Sequence, residues 1–320
     1  MNDAELGALA EEIVARVLGR GGPGAGRRGG AGASARVHGH APTPAVEMLE
    51  IQPRAPLDTA RLPRRAPDGG MHRVADFVDH TLLKADATKA DIEKLCAEAR
   101  QHRFAAVCVN STWVPLCAKL LAGTDVAVAS VVGFPLGAMS SAAKAAEARE
   151  AVGSGADEID MVAQIGRLKS GGWQCVEVDI RAVVQASRPA LVKVIIESAV
   201  LSPEEIVKAS AIVAEAGAHF VKTSTGFHPA GGASLEAVRL MRLTVGEELG
   251  VKAAGGIRDC ATALAMLAAG ANRLGTSSGV AFVRCIGPGP VSFAELLADP
   301  HAHAASCSSC AVPAGGASPY

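Results

Sequence analysis

Phe220-Val-Lys-Thr-Ser-Thr-Gly-Phe227 places a lysine inside a short β-type run, and the fold follows from asking what such a strand needs around it. Phe220, Val221, Thr223 and Thr225 favour an extended backbone, and Gly217 before them and Gly226 after them bound the run at about strand length. If the strand is buried, Lys222 loses hydration, and burial favours the neutral amine, which is a nucleophile toward carbonyls. Val251-Lys-Ala-Ala-Gly-Gly-Ile-Arg258 repeats the arrangement about thirty residues later, with Lys252. Two ammonium groups sharing a pocket repel each other. A shift of about three units from roughly 10.4 costs about 4 kcal/mol and raises the neutral fraction at pH 7 about a thousandfold. The pairing points to Schiff-base chemistry; the plainer alternative is that each lysine snorkels from a strand end into water.

Working outward, the same texture recurs. The strand candidates are 77–80, 105–110, 126–132, 158–162, 191–197, 220–225, 251–254 and 273–276. Helical patterns lie between them, for example 88–101, 140–152, 203–216 and 259–269, several with Ser, Thr or Asp at the cap position. Continuous apolar strands alternating with helices predict a parallel sheet covered on its outer face. Eight such units in about 220 residues predict a closed (β/α)8 TIM barrel of the α/β class. In such barrels the chemistry sits at the C-terminal ends of the strands. Asp79, His80, Asn110, Asp160, Lys193, Lys222, Ser224 and Lys252 break the apolar pattern, and most are expected to converge on one mouth. A purely structural ion-pair layer is the alternative. Gly255-Gly256 after strand seven and Gly275-Thr-Ser-Ser-Gly279 after strand eight stand where free backbone NH groups and a helix dipole favour an anion, which predicts a phosphate site.

Composition excludes several classes. Of 320 residues, 49% are hydrophobic and 20% charged, an ordinary soluble make-up that can bury a large core. A net charge of -1 and only 3% aromatics argue against a nucleic-acid or membrane-surface partner. Apolar runs such as 261–269 are too short to span a bilayer. The 8 cysteines are scattered, and no secretory signal pattern opens the chain, so a reducing cytoplasm is expected.

The ends read differently from the middle. In residues 1–20, Leu6, Leu9, Ala10, Ile13, Val14 and Val17 recur on one face of an amphipathic helix capped by Asn2 or Asp3. Residues 21–72 have the Gly, Pro and Arg composition of a linker, with no acid between Glu12 and Glu47. This layout resembles the encapsulation peptides that carry enzymes into bacterial microcompartments, which implies a shell protein as partner; self-association or docking on the chain's own catalytic domain is the alternative. The barrel is expected over 73–297, followed by a flexible tail, 298–320. His301, His303, Cys307 and Cys310 in that tail offer a single CxxC without a second strong pair, which is weak evidence for zinc.

Seven segments together carry a further resemblance: Asp79-His-Thr-Leu-Leu-Lys84, Val107-Cys-Val-Asn110, Val132-Gly-Phe-Pro-Leu-Gly137, Glu158-Ile-Asp-Met161, Lys193-Val-Ile-Ile-Glu197, Val221 to Phe227 and Lys252 to Arg258. In order and on nearly every expected strand, they are similar to the deoxyribose-phosphate aldolases over about Val74 to Val283. The resemblance implies a class I aldolase that reversibly cleaves 2-deoxy-D-ribose 5-phosphate to acetaldehyde and D-glyceraldehyde 3-phosphate without metal or cofactor. It implies that Lys222 forms the Schiff base, that Lys252 depresses the pKa of Lys222 and shares a proton relay with Asp160, and that Asp79 orients substrate hydroxyls or the relay. Gly226, Gly255, Gly256, Ser277 and Ser278 would hold the phosphate, with Asn110, Lys193 and Thr225 also lining the substrate site. Tyr320, the only tyrosine, would close over it from the tail. The expected assembly is a homodimer. His80, His102, His219 and His228 are dispersed and read as structural or surface residues rather than metal ligands.

Overall fold

Eight runs dominated by branched and small residues become strands: β1 (Val78–Leu82), β2 (Ala106–Val109), β3 (Ala127–Val132), β4 (Glu158–Val162), β5 (Leu191–Ile195), β6 (Phe220–Lys222), β7 (Gly250–Ala254) and β8 (Arg273–Thr276). The structure is a computed structural model and describes residues 70–298 together with Ala8, Glu11 and Glu12. Each strand pairs in parallel with the next, and β8 returns to β1, so the sheet closes into a barrel. Helices fill the connections. Lys89–His102 starts in a capping box between Thr88 and Asp91, and Pro203–Glu215 starts in one between Ser202 and Glu205 with Pro203 in its first turn. Both devices satisfy backbone donors that would otherwise be orphaned.

Alternation along the strands sorts the barrel into two layers. Val107, Val128, Ile159, Val192, Val194, Val221 and Val251 join the main apolar cluster. Burying each such side chain contributes about 1.5–3 kcal/mol, so this layer between strands and helices holds the fold together. Inside, Cys108, Ala129 and Val131, with Leu83, form a small apolar patch against which Phe134 and Phe227 pack. The inward positions of β1 and β4–β8 instead carry Asp79, Glu158, Asp160, Lys193, Lys222, Lys252 and Arg273, all buried. Desolvating ions costs several kcal/mol each, so this interior exists at the expense of stability.

Two strands end two or more residues earlier than the sequence pattern predicts. The regular strand from Phe220 ends at Lys222; Thr223 N still donates to Lys252 O at 3.0 Å, and beyond it the Thr223 side chain carries the pairing, its Oγ1 donating to Ala254 O and accepting from Ala254 N. The run from Leu191 stops at Ile195 because Glu197 adopts a left-handed backbone at φ +54°. At the other end of the barrel the ring of Phe220 lies over Gly250, where an added Cβ would sit 2.1 Å from the ring.

Met71–His72 pairs antiparallel with Val291–Ser292, and the rings of His72, Phe77 and Phe293 meet at 5.3–5.7 Å, tying the start of the barrel unit to its end. Of the expected N-terminal helix, only Ala8, Glu11 and Glu12 are described, and these are helical. The rest of segment 1–20, residues 21–69, and the tail with Tyr320, Cys307 and Cys310 lie outside the described residues. Among the described residues no helix is long and apolar enough to cross a membrane.

Candidate active site

Lys222 and Lys252 lie directly opposite each other on β6 and β7, so the register alone brings two ammonium groups together. Asp160, on β4, stands between them. Its Oδ2 accepts from Lys222 Nζ at 2.7 Å and from Lys252 Nζ at 2.7 Å, while its Oδ1 accepts from Lys193 Nζ at 2.7 Å. Lys252 also donates to Asp79, and Lys193 donates to Glu158 and lies 3.5 Å from Asp79. Arg273 closes the base of the network, bonded to Asp79 and, at 3.0 Å, to Glu158. The result is a continuous chain of charge-assisted hydrogen bonds, Lys222–Asp160–Lys252–Asp79, along which a proton can pass.

The charges do not balance. Three carboxylates (Asp79, Glu158, Asp160) face four cations (Lys193, Lys222, Lys252, Arg273). Lys193 has three carboxylate neighbours and Lys252 two, but Lys222 has only Asp160, and shares it. Burial pulls the Lys222 ammonium below the ordinary lysine value; Asp160 opposes this and Lys252 adds to it. Burial acts on Lys252 in the same sense, but Asp160 and Asp79 outweigh it and hold Lys252 well above its ordinary value. Lys193 is raised likewise, its burial outweighed by Asp160 and Glu158. Against the burial that would raise them, the surrounding cations keep Asp79 and Asp160 below the usual carboxylate range. Of the three lysines in this cluster, Lys222 is thus the one that gives up its proton most readily.

The other expected site residues divide. Gly226, Gly255 and Gly256 all have positive φ, of 82°, 87° and 82°. A Cβ on Gly255 would lie 2.9 Å from Gly232 Cα and 3.2 Å from Gly226 Cα, so the loops after β6 and β7 touch backbone to backbone, which only glycine permits. Ser277 is exposed, and Ser278 caps the helix Gly279–Ile286, its NH donating to Thr276 Oγ1 at 2.9 Å. Thr225 is buried, and both its NH and its hydroxyl donate to Glu197. Asn110 is not part of the charge network: its Nδ2 donates to Leu83 O at 3.2 Å. His80 turns away from the barrel axis to Glu98 at 2.8 Å. His219 Nδ1 accepts from Val192 N at 3.0 Å and His228 Nδ1 from Ala230 N at 3.1 Å, both local roles. A cavity of about 330 Å³ lies beside β1, between His80, Lys84, Asp91, Glu98 and Ser277, outside the lysine network.

Sequence reasoning missed Glu158, Arg273 and Glu197 as parts of the site. Glu158 stands two residues before Asp160, and the period of two along a strand puts them on one face, a signal present in Glu158-Ile-Asp-Met161. Arg273 opens β8 two residues before Gly275, which faces inward against Lys252 and Ala254.

Comparison with known proteins bears on this geometry. The sequence model described as DeoC/LacD family aldolase matches residues 73–286. The chain is 55% identical over 211 residues to the deoxyribose-phosphate aldolase of Streptococcus uberis, covering 66% of this chain and 96% of that protein. It is 57% identical over 213 residues to that of a Geobacillus species, covering 66% and 95%. Among solved structures, the tetrameric deoxyribose phosphate aldolase of Aeropyrum pernix superimposes with a TM-score of 0.61 at 30% identity, covering 70% of this chain and 91% of that one.

Proposed function

This chain belongs to the DeoC/LacD family of aldolases, and from that premise we propose a class I enzyme that reversibly cleaves 2-deoxy-D-ribose 5-phosphate into acetaldehyde and D-glyceraldehyde 3-phosphate through a Schiff base on Lys222. The observation that carries the reading is the surplus cation of the barrel interior: of the three lysines, Lys222 has a single carboxylate partner, which it shares, and it is the one pulled below its ordinary value. The amine attacks C1 of the open-chain sugar; the carbinolamine loses water to give an iminium. Removal of the C3 hydroxyl proton breaks the C2–C3 bond, releases D-glyceraldehyde 3-phosphate, and moves the electron pair into the iminium as an enamine. Protonation at C2 and hydrolysis then return acetaldehyde and free Lys222.

Asp160 and Lys252 relay the protons, since both touch the same carboxylate oxygen as Lys222 or belong to it, and Asp79 extends the relay. The glycines at 226, 255 and 256 with Ser277 and Ser278 receive the phosphate, a role supported by loops in backbone contact beside a helix N-terminus. Borohydride reduction in the presence of 2-deoxyribose 5-phosphate tests the reading. An adduct mapped by mass spectrometry to Lys222 is expected, and folded protein that gains none there would overturn it.

We assign the enzyme unit to residues 73–297, with a homodimer as its assembly, and segments 1–20 and 21–72 as a helix and linker that dock on a microcompartment shell. Deleting residues 1–69, which spares the Met71–His72 strand paired with Val291–Ser292, is expected to leave turnover unchanged and abolish co-localisation with a shell. Lost turnover or solubility would instead make the segment part of the enzyme's own structure.

A further inference from the structure

Closure of the barrel allows every titratable group facing Lys222 to be counted strand by strand. β1 supplies Asp79, β2 the thiol of Cys108, β4 Glu158 and Asp160, β5 Lys193, β7 Lys252 and β8 Arg273; β3, Ala127–Val132, brings no titratable group. Burial pushes the Cys108 thiol up, so it adds no charge. Glu197, beyond the end of β5, is engaged by the NH and hydroxyl of Thr225. Within this closed set Arg273 differs from the three lysines, because a guanidinium keeps its proton at any working pH. It binds two of the three carboxylates, Asp79 and Glu158, and not Asp160, the one that Lys222 touches. Lys193 and Lys252 share those two carboxylates with Arg273, and both also bind Asp160, the single carboxylate partner of Lys222.

We infer, resting on the Schiff-base reading above, that Arg273 is a positioning residue for the reaction: without contact to Lys222, its fixed charge supplies the surplus that expels the Lys222 proton, and so sets the pH above which the enzyme works. Remove Arg273 and three carboxylates face three lysines, all of which can stay protonated. Remove Glu158 and two carboxylates face four cations, so Lys222 is stripped at lower pH. The two partners of one salt bridge thus act on Lys222 in opposite senses. A merely structural salt bridge would do the same damage from either side.

The test is the pH dependence of borohydride trapping on Lys222 by acetaldehyde, a probe with no titrating group, in the full-length chain. For Arg273→Met the acid limb is expected to move up by about one pH unit or more, and for Glu158→Gln to move down by a similar amount, the size of a unit charge acting across the barrel interior. Arg273→Lys, which keeps the charge, and the double variant Arg273→Met/Glu158→Gln, which restores one surplus cation, are expected near the wild-type limb. Should Arg273→Met fail to fold, the direction of the Glu158→Gln limb decides. Limbs that stay put, or that move in the same direction for Arg273→Met and Glu158→Gln, overturn the inference alone. Wild-type protein that traps on Lys222 at no pH overturns the Schiff-base reading and the inference with it.

Discussion

Lys144 and Lys222 are both buried lysines that donate 2.7 Å to an aspartate, yet they stand on opposite sides of the barrel wall and do different work. Lys144 projects from the helix Ser141–Gly153 to Asp179 on the helix Trp173–Ala186 and also donates to Val162 O at 2.8 Å, at the C-terminal end of the strand that carries Asp160. Burial lowers both ammoniums from the ordinary lysine value, and in each case the aspartate opposes it. Desolvation, common to both, therefore does not by itself distinguish the two lysines. Lys144 has a carboxylate of its own, whereas Asp160 is divided among three lysines and Lys252 faces Lys222 directly. One pair is a strut; the other is one cation too many.

The largest expected effect separates the two lysines by activity. Lys222→Met should lower kcat by about a thousandfold or more and abolish trapping, the loss typical of a residue that bonds to the substrate. Lys144→Met should trap normally and keep kcat within about tenfold, the residual loss coming from the loosened end of β4. A Lys144→Met enzyme as dead as Lys222→Met would erase the distinction.

Stability should separate them in the reverse order. Lys144→Met leaves Asp179 buried without its cation, which costs about 3–5 kcal/mol, while Lys144→Met/Asp179→Leu should recover most of that loss. Lys222→Met removes the surplus cation and leaves Asp160 still bonded to Lys193 and Lys252, so urea unfolding should show it more stable than wild type, by about 1 kcal/mol. The sign with pH follows from the depressed Lys222. Below its folded-state pKa the lysine is charged both folded and unfolded, and its cost is complete. As pH rises toward the unfolded value of roughly 10.4 the cost fades. The gain in Lys222→Met should therefore be greatest below the folded-state pKa of Lys222, shrink as pH rises through it, and vanish near the unfolded value.

The lysines inside the barrel were legible in the sequence because a charge interrupting a β-type run is conspicuous, and the repeating strand-helix texture gave all eight strands, with 158–162 and 273–276 at their observed bounds. Lys144 was not legible. It sits among alanines in Ser141–Gly153, where small residues blur which helix face is buried, and its partner Asp179 is 35 residues away on another helix. Arg273 was hidden for a related reason: at a strand's first position an arginine commonly reaches solvent, and only closure of β8 onto β1 turns it inward toward Asp79. The early ends of β5 and β6 rest on the left-handed backbone of Glu197 and on the Thr223 side chain bonding to Ala254, neither of which a local pattern encodes.

The contact of Glu197 with Thr225 supplies a third case and the smallest expected effect. Glu197 is a buried acid held by neutral donors, the NH of Thr225 at 3.2 Å and the Thr225 hydroxyl, in place of the lysines that hold Asp160. Its work is to fix the loop that runs from Lys222 to Gly226, since Thr225 Oγ1 in turn accepts from Phe227 N at 3.1 Å. Glu197→Gln keeps one acceptor for the Thr225 NH and weakens the bond to the hydroxyl, a loss of about 1 kcal/mol. Because the loop would contribute to phosphate binding and not to the proton relay, that loss should appear as a KM for 2-deoxyribose 5-phosphate raised about fivefold, with kcat and the acid limb of the pH profile unmoved. An unchanged KM with a displaced acid limb would mean that Glu197 is a fourth carboxylate of the lysine cluster, and that the surplus of one cation on which the comparison with Lys144 rests is wrong.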